Sequence, residues 1–341
     1  MKRGELLTAL GRLRQANTGG VRAPHKPLLL LWLLGRHARL GSSLVGYAEA
    51  EEPVSRLIND FGPAVGRATA VQRAAMPFVH LERSLWSLCD AAGRELDAKD
   101  VRESGAALRG AGAVGRLRPE VERLLTEDPS AGPIAVRLLL DRHFTPTLEA
   151  AICEQADVGL PDLDIADLGV TGLGVTGLGV GDPGVGDPDA GAAPDPVFRL
   201  VRRRVRAAGF AADVLRAFDH ACAFCGYDGR LGRHPVGVEA AHIRWHSQGG
   251  PDVLANAFAL CSLHHALFDF GVLGVTEDRT VRISPHFRTD SPAGEAVRAL
   301  HDRPVPHPHG RPAAPRAHDF LRWHDRSVFK HDGYRLDRPV D

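Results

Sequence analysis

Cys222-Ala223-Phe224-Cys225, Glu239-Ala240-Ala241-His242-Ile243, Gly249-Gly250-Pro251-Asp252, Asn256 and Cys261-Ser262-Leu263-His264-His265-Ala266-Leu267-Phe268-Asp269 follow one another in the C-terminal half of the chain. Two chemistries are interleaved in this stretch. Cys222, Cys225, Cys261 and His264 have the C-x-x-C … C-x-x-H spacing of a structural zinc site. Zinc takes four tetrahedral nitrogen or sulfur ligands, and two short pairs on separate elements supply them. Three of the five cysteines of the chain fall in this one region. The competing reading, small thiols packed in a core, does not account for that clustering. His242, Asn256 and His265 form a second set. A single histidine near a Gly-Gly pair is ordinarily a loop residue, but the ordered succession of these motifs is hard to obtain by accident.

The ordered pattern resembles the HNH, or ββα-metal, nuclease family over roughly the last two-fifths of the chain. The resemblance implies a β-hairpin carrying the first histidine, a following helix carrying the last, and a divalent metal between them. His242 would then end the first strand and act as the general base for the attacking water. Asn256 would fix the loop that orients His242. His265 would bind the ion that stabilises the departing 3′ oxygen of a phosphodiester. On such a helix Cys261 and His264, three apart, share a face, whereas His265 is turned by roughly 100°. Asp269, four residues after His265, lies on its face as a further metal ligand or as a partner that orients one. Cys261 and His265 are also at helical spacing, which would leave His264 for catalysis. Family spacing from Asn256 favours His265. Phe268 reads as core.

The sequence departs from a common family variant at Ala241, where many members carry a metal-binding Asp. Glu239 is two residues back and on a strand faces the same side. It either replaces the missing ligand or caps local structure. His246 reads as a solvent-facing loop residue.

With 341 residues, 44% of them hydrophobic, the chain has room for two or three domains with proper cores. The N-terminus shows a mixed helical pattern and not a secretory leader. The longest apolar run, Leu28 to Leu34, is too short to span a bilayer. A cytosolic, bacterial setting is the expectation, and its reducing conditions favour zinc over disulfides. Cys89 and Cys153 read as isolated buried thiols. The net charge is zero, but it is unevenly spread. Residues 1–155 hold 21 Lys/Arg against 18 Asp/Glu, residues 156–195 hold eight Asp and no base, and residues 196–341 hold 21 against 16. Two mildly basic domains flanking an acidic linker suit a polyanionic partner, although charge this weak does not establish one.

An α+β organisation follows: a helix-rich domain over 1–155, a linker over 156–195 and a ββα-metal domain over 196–341. Glu5 to Asn17 is a first helix, stopped by Gly19-Gly20. Leu28-Leu29-Leu30-Leu31-Trp32-Leu33-Leu34, apolar on every face, is a central buried helix entered through Pro24 and Pro27. Glu52 to Phe61 is a third. Pro77 to Leu81 and Ser84 to Leu88 alternate like a short hairpin. Pro119 to Gln155 is helical, broken at Gly132-Pro133 and Thr145-Pro146. Leu168-Gly169-Val170-Thr171-Gly172 repeats once and decays into Gly-Asp-Pro units, a composition with little to bury and expected to stay mobile. Phe198 to Phe218 is a helix with clustered arginines, from Arg199 to Arg206. Gly271 to Ser284 is a hairpin, His301 to Arg316 an extended wrap and Asp319 to Phe329 a last helix.

The first domain carries a second resemblance. Ala23-Pro24-His25-Lys26-Pro27 with the leucine run, then Pro77-Phe78 before a tryptophan segment, is similar to the sulfur-binding domain that reads phosphorothioate DNA. That domain occurs fused to HNH domains in type IV, modification-dependent restriction endonucleases. Sulfur is larger, softer and less strongly hydrated than oxygen, so a shallow apolar cup favours it while neighbouring phosphates need cations. Pro77 is the candidate for the cup, with Met76 and Phe78 beside it, although family members often place an aromatic residue where Met76 stands. His25 and Lys26 are candidates for base or phosphate contact and Arg102 for a cation beside the cup. Each also has an ordinary structural role open to it.

The expected function is an endonuclease that recognises phosphorothioated duplex DNA and hydrolyses phosphodiesters near the mark. It would use structural zinc and catalytic Mg²⁺, Mn²⁺ or a similar ion. A tethering linker would make the cuts displaced and variable. A homodimer would account for double-strand breaks. The alternatives are an HNH endonuclease reading a modified base and a non-catalytic zinc-containing DNA-binding protein. The former needs an aromatic cage that three Tyr and four Trp supply poorly. The latter fits Ala241 but not the intact His242, Asn256 and His265.

Overall fold

The computed structural model describes residues 1–15, 17–18, 21–63, 70–161, 209–308 and 317–331. The Gly-rich repeats, the arginines from Arg199 to Arg206 and residues 309–316 of the expected wrap lie outside the described residues.

The first core is built around helix α2 (His25–Leu40), in which every residue from Lys26 to Gly35 is buried. A helix apolar all round has no solvent face, so its neighbours must enclose it. Helices α3 (Tyr47–Phe61), α4 (Ala75–His80) and α6 (Ala131–His143) pack on it, and α1 (Arg3–Gly11), α5 (Pro119–Glu127) and α7 (Pro146–Gln155) contribute to the same core. A small antiparallel sheet, in the order β1 (Val45–Gly46), β3 (Val114–Leu117), β2 (Trp86–Cys89), closes one side.

The structure departs from the sequence-based expectation in several elements. Helix α1 ends at Gly11, and residues after it turn into a two-residue strand pairing, Asn17–Thr18 with Val21–Arg22. Helix α3 starts one turn before Glu52, where buried Tyr47 anchors its first turn through a hydroxyl bond to Glu51 at 3.1 Å. The expected hairpin at 77–88 does not form. Ala75, Phe78 and Val79 also fit helical spacing, and they bury one side of α4. The Trp86 indole donates to the Phe78 carbonyl at 2.9 Å, and strand β2 pairs with β3 instead. Gly132-Pro133 sits in the first turn of α6, where proline costs no hydrogen bond, so the break falls at 128–130.

The second core belongs to the C-terminal part. Strands β4 (Val238–His242) and β5 (Ala257–Cys261) pair antiparallel, with Val238 opposite Cys261 and His242 opposite Ala257. Helix α8 (Ser262–Asp269) follows β5 directly. The hairpin of β6 (Leu273–Val275) and β7 (Val281–Ile283) and the last helix, α9 (Ala317–Ser327), complete the layer. Phe218, Phe224, Phe258 and Phe268 form the aromatic centre. His324 of α9 stacks on Phe268 with ring centroids 3.7 Å apart, and its Nε2 lies 3.1 Å from the Phe268 carbonyl.

The two parts are in contact. Trp245, Trp323 and Val328 belong to the core of the first domain, and α7 packs on α8. No described helix is long and apolar enough to cross a membrane.

Burial holds the His324 imidazole neutral, pushing it down to about 4 from 6.5, against the opposing pull of the Phe268 carbonyl. The unfolded ring takes up its proton at higher pH than the folded one. Stability from this group is therefore complete above pH 6.5 and declines as pH falls toward 4, by about 3 kcal/mol at most. His324→Gln keeps a donor but cannot take up the proton, so it should flatten this acid-side decline in urea midpoints measured across that range.

Candidate active site and metal centre

The Gly-Gly turn between the two strands sets the loop geometry. Gly249 ends a short 3₁₀ turn (His246–Gln248) at φ +80°, a region that favours glycine. A Cβ on Gly250 would lie 1.8 Å from the Arg244 carbonyl oxygen and 2.8 Å from Asn256 Nδ2, so no side chain fits. Asn256 fills the space this leaves. It is fully buried; its Oδ1 accepts from the Arg244 N–H at 2.8 Å, and its Nδ2 donates to the Arg244 and Pro251 carbonyls at 3.0 Å each. The residue thus ties both arms of the loop that follows His242.

His242 sits at the end of β4, partly exposed. Its Nε2 lies 2.8 Å from Asp252 Oδ1, and Phe210 stacks on its ring with centroids 4.5 Å apart. Neither partner has a role in the sequence reading. Asp252 was visible there only as the last letter of G-G-x-D, and Phe210 lies 32 residues upstream with no motif around it. His246, exposed, has its ring 6.2 Å from that of His242.

Helix α8 turns its two adjacent histidines apart. His264 Nδ1 lies 3.1 Å from Cys261 Sγ and 3.5 Å from Cys222 Sγ. Cys222, Cys225, Cys261 and His264 bring one ligand atom each within 4.8 Å of one another. Burial pushes the Cys225 and Cys261 thiols up, while at Cys222 it is outweighed by hydrogen bonds from His264 and backbone N–H groups, leaving that thiol at about 6. A dication would draw such crowded thiols into their thiolate form, and the donor set fits a zinc ion.

His265 faces the opposite way, between two carboxylates. Its Nδ1 lies 2.8 Å from Glu239 Oε2 and its Nε2 3.2 Å from Asp269 Oδ2. Burial alone would lower the imidazolium, but hydrogen bonds to Asp269 and Glu239 more than reverse this and hold it at about 9. The same contact, with the Ser262 hydroxyl at 2.7 Å, pulls Glu239 down to about 2. The carboxylates differ in setting. Glu239 is half exposed, whereas Asp269 is buried and both its oxygens meet protein donors: Trp245 Nε1 at 3.0 Å on Oδ1, His265 and Thr145 Oγ1 on Oδ2. Ala241 is wholly buried opposite Phe258, so a carboxylate there would point into the core.

In the first domain the candidate DNA-reading residues lie on neighbouring elements. Helix α4, carrying Met76, Pro77 and Phe78, packs on α2, which starts at His25, and on the Ala98–Val101 turn capped by Arg102. Exposure separates them. Phe78 is corrected to core: it is fully buried in edge contact with Tyr47 and Trp86. Pro77 is buried, Met76 half-buried and Arg102 exposed. Lys26 is not a free surface cation; it is buried and paired with Glu82 at 2.7 Å. His25 is held neutral, at about 3, by burial and by Arg73, whose Nη2 lies 3.0 Å from its Nε2.

A β-hairpin with a histidine at its end, a helix with a second, and a Cys/His cluster beneath them are the parts of an HNH endonuclease domain, and residues 222–276 match the HNH endonuclease family model. Residues 3–163 match that of the ScoMcrA-like DNA sulfur-binding domain, so this chain joins a sulfur-binding domain to an HNH endonuclease domain. Among solved structures it is similar to the sulfur-binding and SRA domains of ScoMcrA complexed with phosphorothioated DNA, at 27% identity and TM-score 0.39, covering 45% of this chain and 46% of that one. The sulfur-binding domain of ScoMcrA alone, in the same kind of complex, matches at 25% identity and TM-score 0.37, covering 45% of this chain and 94% of that one. The modification-dependent TagI restriction endonuclease matches at 27% identity and TM-score 0.27, covering 34% of this chain and 36% of that one. The chain thus spans less than half the length of the first and the third of these. No curated protein matches it.

Asn256→Asp keeps an acceptor for the Arg244 N–H but sets a carboxylate oxygen against two carbonyls. It should cost about 3 kcal/mol of stability in urea denaturation followed by tryptophan fluorescence.

Proposed function

We propose that this protein is a modification-dependent endonuclease whose first domain finds phosphorothioated duplex DNA and whose second hydrolyses a nearby phosphodiester. The observation that carries the reading is the pairing, on one chain, of a sulfur-binding domain with an HNH unit that retains His242, Asn256 and His265.

In the hydrolytic step Asp252 accepts the Nε2 hydrogen of His242, which leaves Nδ1 with the lone pair that takes a proton from the attacking water. Phe210 keeps the ring in plane. Asn256 holds the intervening loop closed. Glu239 and His265 Nδ1 would hold the catalytic Mg²⁺, Mn²⁺ or similar divalent ion, and Asp269 orients His265 through Nε2 instead of ligating. That ion supplies charge neutralisation at the scissile phosphate and the departing 3′ oxygen. Cys222, Cys225, Cys261 and His264 would hold a structural zinc. In the reading step Met76 and Pro77 supply apolar surface for sulfur and Arg102 a cation for a neighbouring phosphate. Two nuclease subunits, one for each strand, would complete a double-strand break.

Matched plasmids with and without phosphorothioate, incubated with the protein and Mn²⁺, test this. Cutting should be confined to the modified plasmid and fall by roughly 10²–10⁴-fold in His242→Ala. Equal cutting of both plasmids removes the sulfur reading, and cutting that survives His242→Ala removes the base. Metal analysis of the purified protein should give one zinc per chain, lost in Cys222→Ala together with thermal stability and retained in His265→Ala.

A further inference from the structure

The 156–195 segment suggests a nuclease that swings on a tether, but the contacts between the two domains describe something else. Trp245 and Trp323, both from the nuclease part, pack edge to face at 5.7 Å and are buried in the core of the sulfur-binding domain. Lys330 is almost entirely buried, and its Nζ donates to the Asp60 and Gly62 carbonyls at 3.2 Å each. These carbonyls lie at the C-terminal end of α3, where a cation is favoured. Phe270 meets Phe61 at 6.4 Å, and Gln248 Nε2 donates to the His143 carbonyl at 3.4 Å. Undocking would expose two indoles and strip a buried ammonium of its acceptors, so separation opposes both packing and polar satisfaction.

The interface also reaches both working surfaces. On the nuclease side Trp245 and Thr145 hold Asp269, which holds His265. On the reading side the carbonyl of Ile58, in the same helix end that accepts Lys330, accepts Arg73, whose guanidinium also meets His25.

Resting on the function proposed above, we propose that this interface locks the nuclease onto the reader during cutting, so that the cut falls at a set distance from the mark and the 156–195 segment does not determine that distance. End-labelled duplexes carrying one phosphorothioate at a defined position, cut by the full chain with Mn²⁺, give the cut positions directly. The expected result is a narrow group of positions that stays in place when ten Gly/Ser residues are inserted between residues 180 and 181. Lys330→Met, which keeps the stem but removes the charge, should spread that group. Positions that move outward with the insertion while Lys330→Met leaves them unchanged would overturn the proposal. A second measurement stands apart from cleavage: a site-specific protease sequence placed at the same insertion point. After digestion the two halves should co-elute in gel filtration from the wild type and separate from Lys330→Met. Halves that separate in the wild type overturn the locked interface even where phosphorothioate DNA is cut. Co-eluting halves together with no preference for modified DNA uphold the interface and overturn the function instead.

Discussion

Adjacent residues on a helix point roughly 100° apart, and the C-terminal domain depends on that angle. Because α8 begins immediately after β5, His264 is turned toward three cysteines and His265 toward Glu239 and Asp269. The two imidazoles thus enter different surroundings, one of sulfur donors and one of carboxylates, without sharing a centre. Were the two imidazoles two residues apart on a strand, they would share a face, and the cluster and the carboxylate pair would compete for them.

The electrostatics of the two histidines differ in kind. His242 has a carboxylate on Nε2 and an aromatic ring on its face. His265 has a carboxylate at each nitrogen and is held protonated, with a half-exposed Glu239 on one side and a buried Asp269 on the other. The buried Asp269 carboxylate fixes the orientation of the ring, and a cation binding on the Glu239 side would have to displace the Nδ1 proton.

What was legible in the sequence is what is encoded within a few residues. The Cys222/Cys225 and Cys261/His264 spacings, the divergence of His264 from His265, and the buried leucine helix all follow from short-range periodicity. Glu239 came within reach only because a strand alternates faces, and its contact with His265 spans 26 positions. Partnerships made by the tertiary fold left no local mark. Lys26 looks like a surface cation until Glu82, 56 residues away, closes on it. Residues 75–80 were ambiguous in a different way: six residues fit alternation and helical spacing almost equally, and the Trp86 indole, reaching back to the Phe78 carbonyl, marks the outcome. Asp252 stood in plain view inside G-G-x-D, but its target, ten residues back, depends on the glycine turn folding the loop over.

Thr145 begins α7 in the reader yet leans on Asp269 of the nuclease, and His143 two residues earlier receives Gln248. Modules joined in this manner are not interchangeable cartridges. A chimera that grafts this nuclease onto a foreign reader would sever the shelf on which Asp269 rests. It would have to import the end of α6 and the start of α7 along with the catalytic unit, or evolve a substitute ledge at the seam.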